Sequence, residues 1–492
     1  WSHAEQSPLS QMSTTIALLL VHLHLLLCGH GAAAVAATAT PPPLPVLPVP
    51  SYAQLQWQLS EMALFIHFGP NTFTDSEWGS GHADPAVFAP SALDAGQWAR
   101  VAAEGGFGRV VLTAKHHDGF CLWPSALTDY SVAASPWRGG AGDVVGELSA
   151  AARAEGIGLG LYLSPWDRHE PVYGDTVAYN EHYMGQMTEL LTRYGDVEEV
   201  WLDGAKGDDT YMDYMFDAWF ALIHQLQRRV VIFSDAGPDT RWVGDEAGIA
   251  GRTCWSPFNK TVVTIGHIIP EYSQSGDQFG EEWVPAECDV SIRPGWFWHA
   301  SEKPKNMQVL QEFTEIRRTI FSHNFAANAT GTASSVRGGL ENLQFAPSNT
   351  LRDSIYSYWA PQEGQTSWEM LFDLGRSTSF NLLQLQEPIQ MGQRVIEFHV
   401  DVLLGGLWQT ILEGTTIGYK RLLRFPAVDA RYLKLYVDSA RADPLIAFVG
   451  VFMDPFSDAY GLDHEKPSHT NSSEVIMLRR GHAAGNRSTA TM

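Results

Sequence analysis

The sequence predicts an α/β fold: a (β/α)8-like barrel that lacks its last strand, followed by a C-terminal antiparallel β-sandwich. Between residues 52 and 335, short apolar runs alternate with helical stretches, which is typical of parallel strands joined by crossover helices. The runs are continuously apolar, as expected for strands of a sheet that is covered on both faces. After residue 340, short strands separated by turn residues replace this alternation and indicate a sandwich over 340–455.

The first segment of the chain has the pattern of a secretory signal. An apolar core at residues 16–28 follows Met12, and small residues follow at 34–39. This order is that of a signal peptide, although a positively charged start is missing. A membrane anchor is the alternative, but the apolar core is short for a membrane span. We therefore expect upstream residues plus a signal peptide over 1–39, a proline-rich linker over 40–51, and a protein secreted into an extracellular, apoplast-like space.

Seven apolar runs supply the expected strands of a catalytic barrel over residues 52–335. They are 63–69, 109–117, 158–166, 198–204, 230–235, 251–258 and 289–299. Helical stretches lie between several runs, for example 93–106 and 143–156. Polar residues end five of the runs, and the C-terminal strand ends of a barrel are where catalytic groups lie. These residues are His67, His116, His117, Trp166, Asp167, Asp203 and Asp235.

A barrel of this class needs eight strands, and the sequence offers seven. After Asn306 the chain passes directly into a helical pattern over 307–321, with no final apolar strand before it. We expect an internal deletion at this point, which would leave backbone groups of the two edge strands unpaired. The polar residues 456–492 are expected to form a disordered tail.

The composition is that of an acidic globular protein. Lys and Arg number 32 and Asp and Glu number 55, which gives a net charge of −23, and 45% of the residues are hydrophobic. The acidic surplus argues against binding to nucleic acid or to an anionic membrane, because both require a basic surface. The four N-x-S/T sequons, which begin at Asn259, Asn328, Asn471 and Asn486, fit a secreted glycoprotein.

The cysteines exclude a disulfide scaffold. Once Cys28 leaves with the signal, Cys121, Cys254 and Cys288 remain, so at most one disulfide can form within the chain. Their spacing is not that of a metal site.

Two carboxylates are candidates for catalysis. Asp203 lies where an apolar strand meets the loop LDGAKG, and a cap of the next helix is the alternative role. Glu246 lies in the loop RWVGDEAG after the fifth strand, where nearby Trp242 could shield a general acid from water. Asp245 competes with Glu246 for this role.

The adjacent histidines His116 and His117 could orient a ligand. Neighbouring side chains point to opposite faces of a regular strand, so both reach one ligand only at a strand end. A metal site with Asp118 as third ligand is the alternative, although the spacing is not typical of one. The motifs of serine hydrolases, phosphate-binding loops and dinucleotide folds do not occur in the sequence.

Five motifs occur in order between residues 62 and 298: IHFG, DSEW, KHHDGF, W-x-D-G and RWVGxE. Together they resemble the family 29 α-L-fucosidases, especially the plant-type branch that acts on α1,3/1,4-linked fucose. The family fold is a (β/α)8-like barrel followed by a β-sandwich, in agreement with the pattern described above.

The resemblance implies a role for each matched residue. The nucleophile is Asp203 and the general acid/base is Glu246, which leaves Asp245 without that role. Contacts to fucose hydroxyls fall on His67, His116 and His117. The walls of the sugar site are Glu77, Trp78, Trp166 and Trp298, the last against the methyl-bearing face of the sugar.

The resemblance also implies a retaining double displacement on terminal α-L-fucose of fucosylated oligosaccharides or N-glycans, with no metal and no organic cofactor. Another barrel glycosidase with two carboxylates is disfavoured by the KHHDGF and DSEW contexts. The remaining alternative is a catalytically impaired, lectin-like protein that binds fucose, because the apparent deletion near Asn306 could prevent turnover.

Overall fold

The computed structural model describes residues 40–207, 210–303, 317–365 and 367–456. The expected signal peptide, the expected tail beyond residue 456 and the expected deletion site at Asn306 lie outside these residues. The chain divides into residues 1–43 and residues 44–492, and the account below concerns the second unit.

Besides the helical residues 317–321, seven helices precede the sandwich in the described part of this unit. They are α1 (Tyr52–Ser60), α2 (Pro70–Thr74), α3 (Ala95–Gly105), α4 (Val144–Glu155), α5 (Thr176–Arg193), α6 (Phe216–Leu226) and α7 (Pro270–Ser275). The carboxylates of Asp94 and Asp143 cap the starts of α3 and α4, and left-handed Gly106 and Gly156 end them. None of the described helices is long and apolar enough to cross a membrane.

The barrel sheet of the described residues contains seven parallel strands. They are β1 (Ala63–Ile66), β2 (Arg109–Lys115), β3 (Gly158–Leu163), β4 (Glu199–Trp201), β5 (Val231–Ser234), β6 (Thr240–Trp242) and β9 (Ala286–Glu287), in that order across the sheet. The first five coincide with expected apolar runs. Within the described residues, β1 and β9 are the two edges of this sheet, as expected for a barrel without its last strand.

The prediction that the last two runs, 251–258 and 289–299, form strands of the barrel sheet was wrong. The first contributes only β7 (Pro257–Phe258), which pairs antiparallel with β8 (Glu282–Trp283) outside the barrel sheet. The second contains no strand. Their places are taken by β6 and β9, which are too short to form recognisable apolar runs.

Strand β6 was not predicted from the sequence because Arg241 interrupts its apolar pattern. This arginine is fully buried, and its guanidinium donates to the carbonyls of Trp255 and Val284 while its Nε donates to that of Ser273. These three acceptors compensate the burial of a charge that would be costly if left unpaired. The polar residue is therefore part of the barrel wall.

The C-terminal strands form an antiparallel sandwich. They are β10 (Thr330–Ala333), β11 (Trp368–Gln386), β12 (Val395–Leu404), β13 (Leu407–Thr415), β14 (Arg421–Ala440) and β15 (Phe448–Phe452). The two long strands β11 and β14 pair on both sides of an irregularity between Asp373 and Thr378. One half of this ribbon pairs with β10 and β12, and the other half of β11 pairs with β15, so the ribbon contributes to both layers.

The proline-rich segment before α1 lies against the sandwich. The Val46 amide donates to the Met391 carbonyl at 3.0 Å, and Arg394 donates to the Leu44 carbonyl at 2.6 Å. Arg441 donates to the Leu47 carbonyl at 2.9 Å. These bonds attach the segment to the sandwich by its backbone.

Candidate active site

A cavity of about 250 Å3 opens at the C-terminal ends of the barrel strands. Its floor is aromatic, because Phe65 of β1, Tyr162 of β3 and Trp201 of β4 point into the barrel, and Trp201 stacks on Phe233 at 3.9 Å between ring centroids. Among the described residues, the cavity is lined by Phe65, His67, Trp78, His116, His117, Tyr162, Trp201, Asp203, Gly204, Ala205, Asp235, Trp242, Glu246, Asp289 and Trp296.

Asp203 lies two residues after β4 and is held by two donors. The Ala205 amide donates to Oδ1 at 2.7 Å, and the Tyr162 hydroxyl donates to Oδ2 at 2.9 Å. His117 Nε2 lies 3.7 Å from Oδ2. The alternative role as a helix cap is wrong, because α6 begins at Phe216 and has no side-chain cap.

Glu246 lines the same cavity as Asp203. Trp296 Nε1 donates to Glu246 Oε1 at 3.3 Å. The neighbouring Asp245 is not among the cavity residues: it accepts from the Ala247 amide at 2.8 Å and from Gln274 Nε2 at 3.0 Å. Asp245 therefore supports the loop that presents Glu246. The expected shielding is not found, because Glu246 is exposed.

The three histidines meet in this cavity. Strand β2 ends at Lys115, so the ring centroids of His116 and His117 approach to 4.1 Å instead of pointing to opposite faces. His117 Nδ1 is bonded to the Ser164 hydroxyl at 2.7 Å. His116 Nδ1 is buried and has no hydrogen-bond partner among the described residues. A ligand hydroxyl could satisfy that nitrogen.

Burial disfavours the charged form of all three histidines. Burial, assisted by the neighbouring His117, lowers the pKa of His67 to about 3. Burial and both neighbouring histidines lower the pKa of His116 well below its ordinary value. Burial also lowers the pKa of His117, although the charge of Asp203 opposes this shift. Neutral imidazole rings can donate and accept hydrogen bonds to sugar hydroxyls.

The four expected wall residues occupy different positions. Trp78 lines the cavity, and Trp166 packs behind it with ring centroids 5.6 Å apart. Glu77 accepts the Trp296 amide at 2.5 Å and pairs with His299 Nε2 at 2.9 Å, so it anchors the loop around residues 296–299. Trp298 does not line the cavity and is 47% exposed.

Trp296 occupies the position expected for Trp298. It lines the cavity and stacks on His67 with ring centroids 5.1 Å apart. Phe297 between the two tryptophans is buried against His67 and His116. The packing of Phe297 determines the directions in which Trp296 and Trp298 point. A sequence motif carries no information about this packing.

Two further carboxyl groups line the cavity. Burial, followed by the nearby charge of Asp203, raises the pKa of Asp235 to about 6, although the Gly266 amide donates to its Oδ2. Burial, followed by the charges of Glu246 and Asp203, raises the pKa of Asp289 to about 7. Asp289 was not predicted as a site residue because it begins the run 289–299, which was interpreted as a strand. Tyr162 escaped notice because it lies inside an apolar run.

The metal alternative finds no support in the described residues. No group of three His, Cys, Asp or Glu side chains among them could hold an ion. Asp118 faces away from the catalytic cavity and lines a separate polar cavity with Asn71 and Arg168.

Comparisons with known proteins agree with this site. The family described as α-L-fucosidase matches residues 56–309. A protein of Oryza sativa subsp. japonica, provisionally named α-L-fucosidase 1, is 78% identical over 91% of this chain and 93% of its own length. α-L-Fucosidase 1 of Arabidopsis thaliana is 56% identical over 84% of this chain and 88% of its own length.

Solved structures have the same fold. The crystal structure of SpGH29 matches with a TM-score of 0.80 and 36% identity, over 84% of this chain and 100% of that chain. A GH29 fucosidase of Ruminococcus gnavus in complex with fucose matches with a TM-score of 0.78 and 32% identity, over 86% and 98% of the two chains. These comparisons confirm the resemblance carried by the five motifs and give no support to a lectin. The chain therefore belongs to the α-L-fucosidase family of glycoside hydrolases, family 29.

Proposed function

We propose that this protein is a secreted exo-α-L-fucosidase that removes terminal α1,3/1,4-linked fucose from glycoconjugates by retaining double displacement. The observation that carries the proposal is the convergence of Asp203 and Glu246 on one cavity beside three neutral histidines.

In this mechanism Asp203 is the nucleophile. Its oxygen attacks the anomeric carbon, and the bond to the departing oxygen breaks. The Tyr162 hydroxyl and the Ala205 amide orient the attacking carboxylate. They stabilise it again when it departs from the fucosyl-enzyme.

Glu246 is the general acid and then the general base. In the first step it protonates the departing oxygen, and in the second it removes a proton from the water that attacks the fucosyl-enzyme. Retention requires two carboxyl groups about 5–5.5 Å apart. The indole of Trp296 holds Glu246 at the cavity wall.

The aromatic floor of the cavity, which has a volume of about 250 Å3, supports the proposed removal of a terminal sugar, because this floor blocks passage of a sugar chain through the barrel. His67, His116 and His117 are the proposed hydroxyl contacts, and Trp296 the proposed apolar wall. Trp78 and Trp166 extend this wall, and Glu77 supports Trp296. No metal or organic cofactor takes part in these steps.

The first test compares two substrates with the wild-type protein, Asp203→Ala and the matched exposed control Asp196→Ala. The substrates are an aryl α-L-fucoside and a fucosylated Lewis-type oligosaccharide. We expect Asp203→Ala to lose at least about a thousandfold in kcat, because the covalent step needs the carboxylate, while the control keeps its rate. Equal turnover by wild type and Asp203→Ala would overturn the assignment.

Product stereochemistry tests the mechanism. NMR during early turnover should detect α-L-fucose first if the configuration is retained. First-formed β-L-fucose would exclude double displacement. Fucose binding by calorimetry without any hydrolysis would instead favour the lectin-like alternative.

A further inference from the structure

Asp235 lies beside the proposed nucleophile but has no part in the proposed mechanism. In the parallel pairing of β4 with β5, Trp201 lies opposite Phe233, and their rings stack inside the barrel. Asp203 and Asp235 each follow one of these paired residues by two positions, which places both on the same face. Both line the cavity. The register of the sheet therefore makes the two aspartates neighbours.

The carboxyl group of Asp235 packs against the residue that follows the nucleophile. A Cβ added to Gly204 would overlap Cγ and both carboxyl oxygens of Asp235, which are its three nearest atoms from other segments. Gly204 does not have a positive φ, so the packing of Asp235 and not the backbone conformation requires glycine at this position. The next residue, Ala205, donates its amide to Asp203 Oδ1 at 2.7 Å. Asp235 therefore supports the turn that carries this donor.

The same carboxyl group also holds a second segment. The Gly266 amide donates to Asp235 Oδ2 at 2.9 Å. A Cβ added to Gly266 would lie 3.5 Å from the Gly204 carbonyl oxygen, so this segment rests on the turn after the nucleophile. Val263 anchors the segment a few residues earlier, because it is buried in a cluster with Ala236. Asp235 is thus the side chain that joins the two backbone segments.

We propose that Asp235 is a positioning residue that holds the Gly204–Ala205 turn against the segment of Gly266 and so keeps the Ala205 amide directed at Asp203. This inference rests on the proposed function. It adds to that function a side chain that acts on the nucleophile through the backbone, without contact to the reacting atoms.

This role needs a hydrogen-bond acceptor rather than a negative charge. Burial and the nearby charge of Asp203 raise the pKa of Asp235 to about 6, although the Gly266 amide opposes this shift, so the surroundings disfavour the carboxylate. The side chain of asparagine has nearly the same shape and keeps an oxygen that can accept the Gly266 amide. Asp235→Asn should therefore preserve the role that Asp235→Ala removes.

The first test measures kcat and KM of wild type, Asp235→Ala and Asp235→Asn on an aryl α-L-fucoside, with the exposed Asp196→Ala as control. Asp235→Ala should lose roughly tenfold to a hundredfold in kcat with little change in KM, because displacing a catalytic group by about 1 Å can cost about a hundredfold. Asp235→Asn and the control should remain close to wild type. A loss in Asp235→Asn as large as that in Asp235→Ala would overturn the inference, because the charge and not the acceptor would then matter.

Gly204→Ala gives a second test, because its new methyl group would displace the Asp235 carboxyl group. This variant should be slower than wild type. The double variant Gly204→Ala/Asp235→Ala should be no slower than Asp235→Ala alone, because removal of the carboxyl group makes room for the methyl group. Losses that multiply in the double variant would show that the two positions act independently, and would contradict the proposal. Melting temperatures identify any loss that is due to unfolding.

Amide hydrogen exchange measures the same contacts without reference to activity. In Asp235→Ala, exchange should become faster at both Ala205 and Gly266, whereas Asp235→Asn should keep the wild-type rates. Faster exchange at Gly266 alone would exclude a role in positioning the nucleophile. Failure of the proposed function has a different signature, because wild type would then hydrolyse neither the aryl fucoside nor a fucosylated oligosaccharide while the exchange results stayed the same.

Discussion

At the scale of single residues, the candidate site combines the carboxyl group of Asp203, the proposed nucleophile, with three buried histidines. Asp203 has two donors, and burial lowers the pKa of each of the three histidines beside it. A cationic imidazole next to Asp203 would compete for its negative charge. In the proposed mechanism, neutral rings instead leave that charge available to attack carbon and to stabilise a positively charged transition state.

Tyr162→Phe tests the donor that orients Asp203, the proposed nucleophile. The hydroxyl lies 2.9 Å from Asp203 Oδ2, and a hydrogen bond to a charged group contributes about 1.5–3 kcal/mol. We expect kcat to fall roughly tenfold to a hundredfold with a smaller change in KM, measured by steady-state kinetics. Tyr173→Phe is a matched control, because the Tyr173 hydroxyl bonds to Tyr214 outside the cavity. A loss of the same size in both variants would contradict this role.

At the scale of elements, the end of β2 positions the histidine pair. Lys115 is the last residue of this strand and is fully buried, with Nζ 2.8 Å from Asp167 Oδ2 and 2.9 Å from Gln186 Oε1. Asp167 follows β3 and also accepts the amides of His169 and Glu170. The buried ion pair therefore connects the ends of two neighbouring strands directly below His116 and His117.

Helix α4 supplies a test of local capping. The Asp143 carboxylate accepts the Gly146 amide at 2.8 Å and the Tyr194 hydroxyl at 3.0 Å. Asp143→Ala should reduce the free energy of unfolding by about 1 kcal/mol, because the first turn loses its cap. Asp143→Asn keeps a capping oxygen and should be affected less. Urea unfolding measures both, and equal losses would contradict the capping argument.

At the scale of the whole molecule, Glu61 joins the barrel to the sandwich. It ends α1 and accepts the Tyr419 hydroxyl at 3.0 Å, and it also pairs with Lys420 and with Arg317. Burial alone would raise the pKa of Glu61, but Lys420 and Arg317 outweigh burial and lower it below the ordinary value of 4.5. A carboxylate with a lowered pKa stabilises the fold above its unfolded pKa, and this contribution disappears as the pH falls.

Glu61→Gln should therefore lower the melting temperature near pH 7 by about 2–4 °C. The difference from wild type should shrink as the pH falls below about 4.5. Calorimetry across this pH range checks both statements, with the exposed Glu281→Gln as control. A difference that persists unchanged at low pH would show that lost packing, not charge, is responsible.

Much of the fold was predictable because its signals are local. The first five barrel strands are apolar runs, and α3 and α4 carry an aspartate cap and a terminating glycine within their own sequence. The convergence of Asp203 with the histidines was also predictable, because the C-terminal ends of parallel strands meet at one edge of a barrel. Such signals depend on neighbours in the chain.

The features that could not be predicted, such as strand β6 and the tryptophan at the cavity, depend on contacts between segments that are distant in the chain. Three carbonyls from other segments, one of them in α7, compensate the burial of Arg241 in β6, and this arginine made the strand unrecognisable in the sequence. The packing of Phe297 brings Trp296 rather than Trp298 to the cavity.

By itself, then, the sequence determined the fold class and the family, because apolar runs, caps and motifs are written in consecutive residues. Only the tertiary structure decided which strands complete the sheet and which tryptophan lines the cavity. The reason is physical: the burial, charge and hydrogen bonding of these groups arise from segments that lie far apart in the chain and meet only after folding.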